Sequence, residues 1–443
     1  LSGGEHMLSI IIILSIALAI FLGYRTKINT GLFCIVFAYI IGCFVMGLKP
    51  KQIIGFWPTS TMFVILSVSL FYNFAAINGT LEKMSGALLY ACRNFPGLLP
   101  YALFAVAVIL SVMGATFFTV LAFLAPITLV ICDESRMDKL TGAVAINCGA
   151  LAGGNFPTSN LGVVFRGLSD TAYEASPEIA AVDSFNMEMK IFAFAIFFSL
   201  ILITIFRFGF KENRNIGKGV TFKKPESFTK DQKTTLTLMM AMMAVVLIFP
   251  LLNILMPGNA AVKYISGKVD VGLVAIIFTV IALLLKLAPQ KEAIAKVPWN
   301  TIIMIAGAGM LIAVAVEAGT IEALSTWIGS NVPKPLVPIA FCLVGAIMSF
   351  FSPTTGVVAP ALFPLIPNLA ASVGLSAPVL FACTILGAQS SAISPFSSGG
   401  SLILGSTPKE EERNELFNRL LMVAVPISVI TCTIYNFVIA MVL

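Results

Sequence analysis

The chain has 443 residues with a formal net charge of +6, and 58% of its residues are hydrophobic whereas 11% are charged. This composition, with a mean hydropathy of +0.99, argues against a water-soluble globular enzyme and predicts an integral membrane protein. A histidine-based metal site or catalytic triad is not expected, because the one histidine, His6, lies in the opening segment 1–6, which we interpret as a tag remnant. The eight cysteines stand singly in apolar segments and predict buried thiols rather than a disulfide framework.

The first half of the chain predicts five spanning helices, since about 20 residues cross a hydrocarbon core of about 30 Å. They lie at 8–23, 31–48, 61–78, 141–165 and 190–209. The second half predicts five more, at 234–256, 270–287, 301–319, 376–404 and 419–443. Because five is an odd number, the second half must enter the membrane in the opposite sense. We therefore expect an all-α polytopic protein with two inverted repeats, at 7–209 and 234–443, joined by a basic linker at 210–233.

One further apolar stretch in each half does not fit a simple span. The stretch at 99–132 would form a helix of about 50 Å, whereas a break near Gly114 gives two legs that are each too short to cross. We predict a re-entrant helical hairpin there and a second one at 335–370, broken around 352–356. Short segments at 81–93 and 321–330 precede the hairpins and are predicted to lie at the membrane interfaces.

A spanning helix in each half is also interrupted by glycine, proline and hydroxyl residues. The interruptions lie at 149–160, within the predicted helix 141–165, and at 387–400, within 376–404. Proline removes a backbone donor and glycine permits unwound backbone. Unwound carbonyls and hydroxyls can bind a hard cation such as sodium, and the amides that begin the next half-helix attract a carboxylate.

The breaks occupy equivalent positions in the two halves. Gly114, Pro126, Gly149 and Pro157 correspond to Ser352, Pro364, Gly387 and Pro395, always 238 positions later (395 − 157 = 238). Any one of these residues is as consistent with helix packing or a kink as with binding. Four breaks at matched positions favour the site of a secondary transporter, formed where the repeats meet near the membrane midplane.

The candidate ligands are the polar and glycine residues at these breaks. We predict substrate binding by Thr116, Thr158, Ser159, Asn160, Thr354, Thr355, Ser397 and Ser398. Candidate sodium ligands are Gly114, Thr116, Gly154, Asn155, Ser352, Thr354 and Ser394, and no transition metal or organic cofactor is expected. Two charged residues lie near the breaks. Arg166 is the nearest candidate positive charge, although its position favours an interfacial anchor. Glu317 is a candidate protonation site, although its proximity to Gly319 and Thr320 favours a position at the outer interface.

Lysine and arginine set the expected orientation, because short loops rich in these residues stay in the cytoplasm. The linker is strongly basic from Arg207 to Lys233, whereas the segment from Asp170 to Glu188 is acidic, as an external loop would be. Both termini are then external, and we expect a multi-pass protein of the inner (cytoplasmic) membrane. Anionic lipid or a partner protein is the alternative explanation of the basic linker.

Several motifs of this chain resemble motifs of the ion transporter superfamily, and within it those of the divalent anion to sodium symporters. The malonate carrier type of dicarboxylate permease is the nearest resemblance, carried by Asn78-Gly79-Thr80, Ala152-Gly153-Gly154 with Pro157, and Ser394-Pro395-Phe396-Ser397. The resemblance implies dicarboxylate uptake coupled to sodium or protons, a homodimer and an elevator-type movement. The symporters carry Ser-Asn-Thr at both hairpin tips, whereas this chain has Ala115-Thr116-Phe117-Phe118 and Ser352-Pro353-Thr354-Thr355.

We therefore predict a secondary active transporter that moves small dicarboxylates of the malonate or succinate class by an elevator-type alternating-access mechanism coupled to sodium. The alternative within transport is a proton-coupled carrier of another organic or inorganic oxyanion. An intramembrane enzyme is disfavoured because no pair of nucleophile and base is evident, and a pore is disfavoured because hairpins from opposite faces suit alternating access. No nucleic-acid partner is expected.

Overall fold

The computed structural model describes residues 3–91, 96–210, 213, 226–256, 259–266, 268–297, 299–350, 353–407 and 409–442. These residues form helices and connecting turns, and no β-strand occurs in these ranges. The α-helices are α1 Gly3–Thr26, α2 Thr30–Tyr39, α3 Pro50–Gly55, α4 Thr59–Ile77, α5 Thr80–Ala91, α6 Leu99–Val112, α7 Phe117–Ser135, α8 Lys139–Gly154, α9 Asn160–Glu174, α10 Ser184–Gly209, α11 Lys230–Leu255, α12 Ala260–Ser266, α13 Val271–Leu284, α14 Gln290–Ala295, α15 Trp299–Glu317, α16 Thr320–Asn331, α17 Val337–Ser349, α18 Ala359–Leu362, α19 Ile366–Val373, α20 Ala377–Ser390, α21 Ser398–Gly405, α22 Glu410–Arg419 and α23 Val425–Val442.

Wider and tighter helical turns connect some of these helices. Wide π-turns occur at Ile40–Val45, Thr354–Val358 and Leu420–Ala424, and 3-10 turns at Pro96–Leu98, Lys334–Leu336 and Phe363–Leu365. Within the described ranges, three continuous helical segments have the length and apolar composition needed to cross a membrane: Ser184–Gly209, Thr354–Val373 and Glu410–Val442. The all-helical, apolar fold confirms the predicted class.

The helices recur in the same order in both halves. Helix α16 begins 240 positions after α5 (320 − 80), and α17, α20 and α21 begin 238 positions after α6, α8 and α9 (337 − 99, 377 − 139 and 398 − 160). The duplication in the sequence is therefore a duplication of helical elements. The opposite membrane orientation of the two repeats remains a prediction.

Equivalent glycines bring equivalent helices together. A Cβ atom added to Gly149 of α8 would collide with the backbone of Phe104 in α6, and one added to Gly387 of α20 would collide with the backbone of Cys342 in α17. Both contacts are related by the same offset of 238 (387 − 149 and 342 − 104). Small residues of this kind allow helix backbones to approach closely in membrane proteins. Each broken helix is thus packed against the first leg of the hairpin in its own half.

Ion pairs join the start of α8 to α22. The Nζ of Lys139 lies 2.6 Å from Glu412 and 2.9 Å from Asp133, and Arg419 lies 2.7 Å from the buried Asp138. Burial lowers the pKa of Lys139, but the hydrogen bonds with Glu412 and Asp133 outweigh it, so the pKa is raised above its ordinary value. These pairs tie the two repeats together at one end of the molecule.

The structure corrects the prediction that Asp170 to Glu188 is a loop. Helix α9 continues to Glu174, and α10 already begins at Ser184. Helix α9 is amphipathic: Val164, Phe165 and Leu168 are buried, whereas Arg166, Asp170 and Glu174 recur every four residues on another face. Counting charges alone could not separate this helix face from a loop.

The start of the chain also departs from expectation, since α1 begins at Gly3, inside the segment interpreted as a tag remnant. Helices α3 and α14 lie in segments that were predicted to be loops. Much of the predicted linker 210–233 lies outside the described residues.

Candidate functional site

A cavity of about 530 Å³ lies where the two halves meet. Both hairpin tips and both broken helices contribute to its lining, as do α4 and the residue that follows α14. The lining residues of the first half are Ile65, Asn73, Ala76, Thr116, Phe117, Phe118, Thr119, Phe123, Leu151, Asn160, Leu161 and Val164. Those of the second half are Lys296, Ser349, Pro353, Thr354, Thr355, Gln389, Ala392, Phe396, Ser397 and Gly399.

The first hairpin turns through a glycine that a side chain could not replace without strain. Gly114 has φ +93°, a backbone conformation that side-chain-bearing residues rarely adopt, and an added Cβ atom would overlap the ring of Tyr72. Thr116 then caps α7, because its Oγ1 accepts a hydrogen bond from the amide of Thr119 at 3.2 Å. The following rings, Phe117 and Phe118, meet edge to face with centroids 5.6 Å apart. This tip presents one hydroxyl beside two aromatic rings.

The second hairpin tip is built from hydroxyl residues and a proline. Pro353 precedes the π-turn Thr354–Val358, and the hydroxyls of Thr354 and Ser349 lie 3.2 Å apart. Thr355 is buried but still lines the cavity. The predicted cation ligand Ser352 lies outside the described residues.

The first broken helix satisfies most of its own polar groups. The hydroxyl of Ser159 donates to the carbonyls of Gly154 and Phe156, and Asn160 donates to the hydroxyl of Ser69 at 3.4 Å. Thr158 is buried, and its hydroxyl has no hydrogen-bond partner among the described residues. Asn160 is the part of this break that reaches the cavity.

The second broken helix opens more directly onto the cavity. Ser397 caps α21 by accepting from the amide of Gly400 at 3.4 Å, and its hydroxyl also donates toward the carbonyls of Ala392 and Ser394. The hydroxyl of Ser394 accepts from the amide of Phe396 at 3.2 Å. Ser397 and Gly399 line the cavity, so the start of α21, with its positive helix-dipole end, borders the cavity.

A pair of amide side chains joins the two broken helices. The Nδ2 of Asn155 donates to the Oε1 of Gln389 at 3.0 Å, and the Nε2 of Gln389 donates to the Oδ1 of Asn155 at 2.7 Å. Both residues are buried. Each amide therefore satisfies the other where water is excluded, which fixes the relative position of the two breaks.

The predicted ligands divide into two groups. Five of them line the cavity: Thr116, Asn160, Thr354, Thr355 and Ser397. Those that do not line it are Gly114, Gly154, Asn155, Thr158, Ser159 and Ser394. The side chains of Asn155, Ser159 and Ser394 are instead bonded to neighbouring groups of the breaks. Ser398 begins α21, and its side chain is not among those described.

Sequence reasoning missed five polar residues of the lining, which are Asn73, Thr119, Lys296, Ser349 and Gln389. Lys296 follows α14 and supplies a positive charge, although no lysine or arginine was expected at the site. Asn73 of α4 also lines the cavity, and its side chain donates to the carbonyl of Ala293 in α14 at 3.0 Å. Gln389 could have been found from the sequence, because an amide side chain within an apolar helix indicates a functional or a paired residue.

A second cavity, of about 650 Å³, has the opposite electrostatic character. It is lined by Arg166 and by four carboxylate residues, Asp170, Glu174, Asp270 and Glu317. Glu317, the last residue of α15, thus lines the second cavity with three other acidic residues and does not line the first. The side of the membrane toward which each cavity opens remains a prediction, in which the charge rule makes the side of Lys296 cytoplasmic.

The lining of the first cavity suits a small anion. Among its described residues there is one cation, Lys296, and no carboxylate. Six of the ten described lining residues of the second half are polar and form a polar wall. Eight of the twelve of the first half are apolar, among them Phe117, Phe118, Leu151 and Leu161, and form a mostly apolar wall. A ligand with an anionic group and a hydrocarbon portion would complement both walls.

Solved structures with the same fold are transporters. The transporter YdaH of Alcanivorax borkumensis has a TM-score of 0.65 and 18% identity, covering 87% of this chain and 87% of that chain. MtrF of Neisseria gonorrhoeae, described with a class of antimetabolite efflux pumps, has a TM-score of 0.62 and 13% identity, covering 91% of this chain and 84% of that one. No curated protein sequence gives a match. The chain therefore shares its fold with these two transporters.

Two family models match the sequence in different halves. Residues 7–154 match the dicarboxylate carrier protein MatC N-terminus, and residues 261–442 match the citrate transporter family. These matches confirm the resemblance to MatC-like permeases, and the chain is a transporter rather than an enzyme.

Proposed function

We propose that the protein transports a small dicarboxylate, of the malonate or succinate class, and binds it in the cavity between the hairpin tips. The observation that carries this proposal is the lining itself: it combines Lys296, hydroxyls and amides with a mostly apolar first-half wall, and no carboxylate occurs among the described lining residues. The match of residues 7–154 to a dicarboxylate carrier domain supports the same substrate class.

The way in which the substrate would be held follows from the two walls. Thr354 offers a hydroxyl donor, and the amides at the start of α21 add partial positive charge. The hydroxyl of Ser397 would donate to the substrate by turning away from the carbonyls of Ala392 and Ser394. Lys296 is exposed and follows α14, which packs against α4 rather than against the broken helices. Lys296 would therefore attract the anion to the opening of the cavity, on the predicted cytoplasmic side, rather than hold the bound substrate.

Sodium coupling and an elevator-type movement in a homodimer are further parts of this proposal. The support for a moving unit is the packing: α6 on α8, α17 on α20, and the amide pair between Asn155 and Gln389 join hairpins and broken helices into one body. Helices α2 and α15 pack against each other, as do α4 and α13, and would provide the scaffold. A cation bound by break carbonyls would offset the charge of a dianion.

The match of residues 261–442 to citrate transporters favours a tricarboxylate as the second candidate. Purified protein in proteoliposomes preloaded with unlabelled ligand should show counterflow of labelled malonate or succinate, with citrate tested in parallel. Runs with and without a sodium gradient, at two pH values, test the coupling ion. The absence of exchange-stimulated uptake with every dicarboxylate would contradict the proposed substrate class, and citrate counterflow alone would favour the second candidate.

A further inference from the structure

The least compensated charged group in the described protein is Glu188. It lies in the second turn of α10 with no exposed surface, and neither of its carboxylate oxygens has a hydrogen-bond partner among the described residues. An ionised carboxylate in such a place loses its hydration and gains no hydrogen bond in return. A bound proton would remove that cost, because it neutralises the group.

Arg166 on the neighbouring helix α9 is the charged side chain whose field acts on Glu188. Its guanidinium lies 5.3 Å above the ring of Phe185, and its Nη1 donates to the carbonyl of Pro157 at 3.2 Å. The Nε of Arg166 has no hydrogen-bond partner among the described residues. The arginine therefore contacts both Phe185, three residues before Glu188 on α10, and the first broken helix, to which Pro157 belongs.

The other charged residues near this pair act on Arg166 rather than on Glu188. Asp170, Asp183 and Asp270 also act on the guanidinium, and the carboxylate of Asp170 accepts from the hydroxyl of Ser184 at 3.2 Å. Lys190, on the helix of Glu188 itself, is exposed. Helix α9 also carries Tyr173 and Glu174. Of the other helices that pack on α10, α6 carries Tyr101, α20 and α23 carry only cysteines and Tyr435 as titratable groups, and α8 carries Cys148 and, at its opposite end, Lys139.

We propose that Glu188 is a proton-binding site whose occupancy controls the contact between Arg166 and the broken helix. With Glu188 neutral, Arg166 holds the Pro157 carbonyl, as it does in this structure. When Glu188 loses its proton, the carboxylate attracts Arg166 and competes with that carbonyl. Asn160, three residues beyond Pro157, lines the substrate cavity, so the break carries the change to the cavity. The proton is bound and released, and no covalent bond in the chain changes.

Infrared difference spectroscopy of the reconstituted protein tests the site without any substrate. As pH is raised, the carbonyl band of a protonated carboxyl group should disappear in the wild type. The Glu188→Gln variant should lack this band entirely, whereas Glu178→Gln, which removes an exposed carboxyl, should keep it. An unchanged band in a folded Glu188→Gln variant would overturn the proposal, and Glu188→Asp, with a shifted titration, serves if the glutamine variant does not fold.

The link to transport rests on the proposed function and is measured separately. Counterflow of labelled succinate by Glu188→Gln should lose its pH dependence and stay at the wild-type low-pH rate, because glutamine mimics the neutral form. Arg166→Gln should also flatten the pH profile but should keep the titrating carboxyl band. A wild-type pH profile in folded Glu188→Gln would overturn the link. A protein that shows the titrating band but no counterflow would leave the proton site standing and contradict the substrate assignment.

Discussion

In the first repeat the hairpin tip places Thr116 between Gly114 and two phenylalanines, whereas in the second repeat Pro353 is followed by Thr354 and Thr355. The broken helices also differ. The hydroxyls of Ser159 and Ser397 both bond to carbonyls of their own break, but only Ser397 also lines the cavity. The duplicated fold therefore has a mostly apolar first-half wall and a mostly polar second-half wall, which together suit a ligand with both characters.

The first wall depends on the turn at Gly114, so Gly114→Ala is expected to have the largest effect. The substitution forces a side chain into a left-handed backbone and against the ring of Tyr72, at a cost on the order of 3 kcal/mol. We expect loss of transport and a lower thermal unfolding midpoint in detergent. Gly47→Ala is the matched control, because Gly47 has φ +72° and open space around it, so only the backbone cost of about 1 kcal/mol remains. Equal effects of the two substitutions would contradict the role of Tyr72.

The junction between the repeats can be broken by Gln389→Leu. This change leaves the buried Asn155 amide without its partner and should cost about 1–3 kcal/mol, with a large loss of transport rate. The double variant Asn155→Leu with Gln389→Leu removes both buried amides and should recover part of the stability. Thermal unfolding of the four proteins of this cycle measures the coupling. Additive losses would mean that the pair does not join the breaks.

The second wall is tested by Thr354→Ala and Ser397→Ala. Each removes a hydroxyl that lines the cavity, and the loss of one hydrogen bond to a charged ligand should raise KM about tenfold. Ser397→Ala also removes the cap of α21, at a cost of about 1 kcal/mol, so its stability is measured as well. Unchanged affinity and rate in both variants would count against this wall as the hydrogen-bonding side of the site.

The smallest effect is expected for Lys296→Gln. An exposed charge at the mouth of a cavity contributes about 1 kcal/mol, so KM for a dianion should rise roughly fivefold at low salt and less at high salt. Lys291→Gln is the matched control, since Lys291 is an exposed lysine of α14, the short helix that Lys296 follows, and Lys291 does not line the cavity. An equal effect of the two variants would show that general surface charge, not Lys296, is responsible.

The sequence predicts the repeated elements well because their physical signals are local. Gly114, Pro157 and Pro395 interrupt apolar segments wherever they occur, and the constant offset between halves identifies equivalent breaks without any knowledge of packing. For the same reason, the helices of the hairpin segments and the short helices that precede them could be located to within a few residues.

The candidate site was less predictable because it depends on contacts between distant segments. Lys296 follows α14, a short helix whose sequence predicts a loop, and only the folded structure shows that Lys296 lines the cavity. Likewise, Asn155 looks like a cation ligand until its partner Gln389 is known. Glu188 was grouped with external loop acids because hydropathy counting cannot show that α10 begins at Ser184 and buries this residue.

The central claim is that a dicarboxylate occupies the cavity between the two walls, and cysteine protection measures this most directly. Phe118 lines the cavity with 47% of its side chain exposed, so a single cysteine introduced there in a cysteine-free, transport-active background should react with a membrane-permeant maleimide. Glu410→Cys, exposed on α22 and outside the cavity, is the control. We predict that succinate or malonate slows labelling of Phe118→Cys and leaves Glu410→Cys unaffected. Labelling of Phe118→Cys that no dicarboxylate slows, in protein that still shows counterflow, would contradict this location of the site.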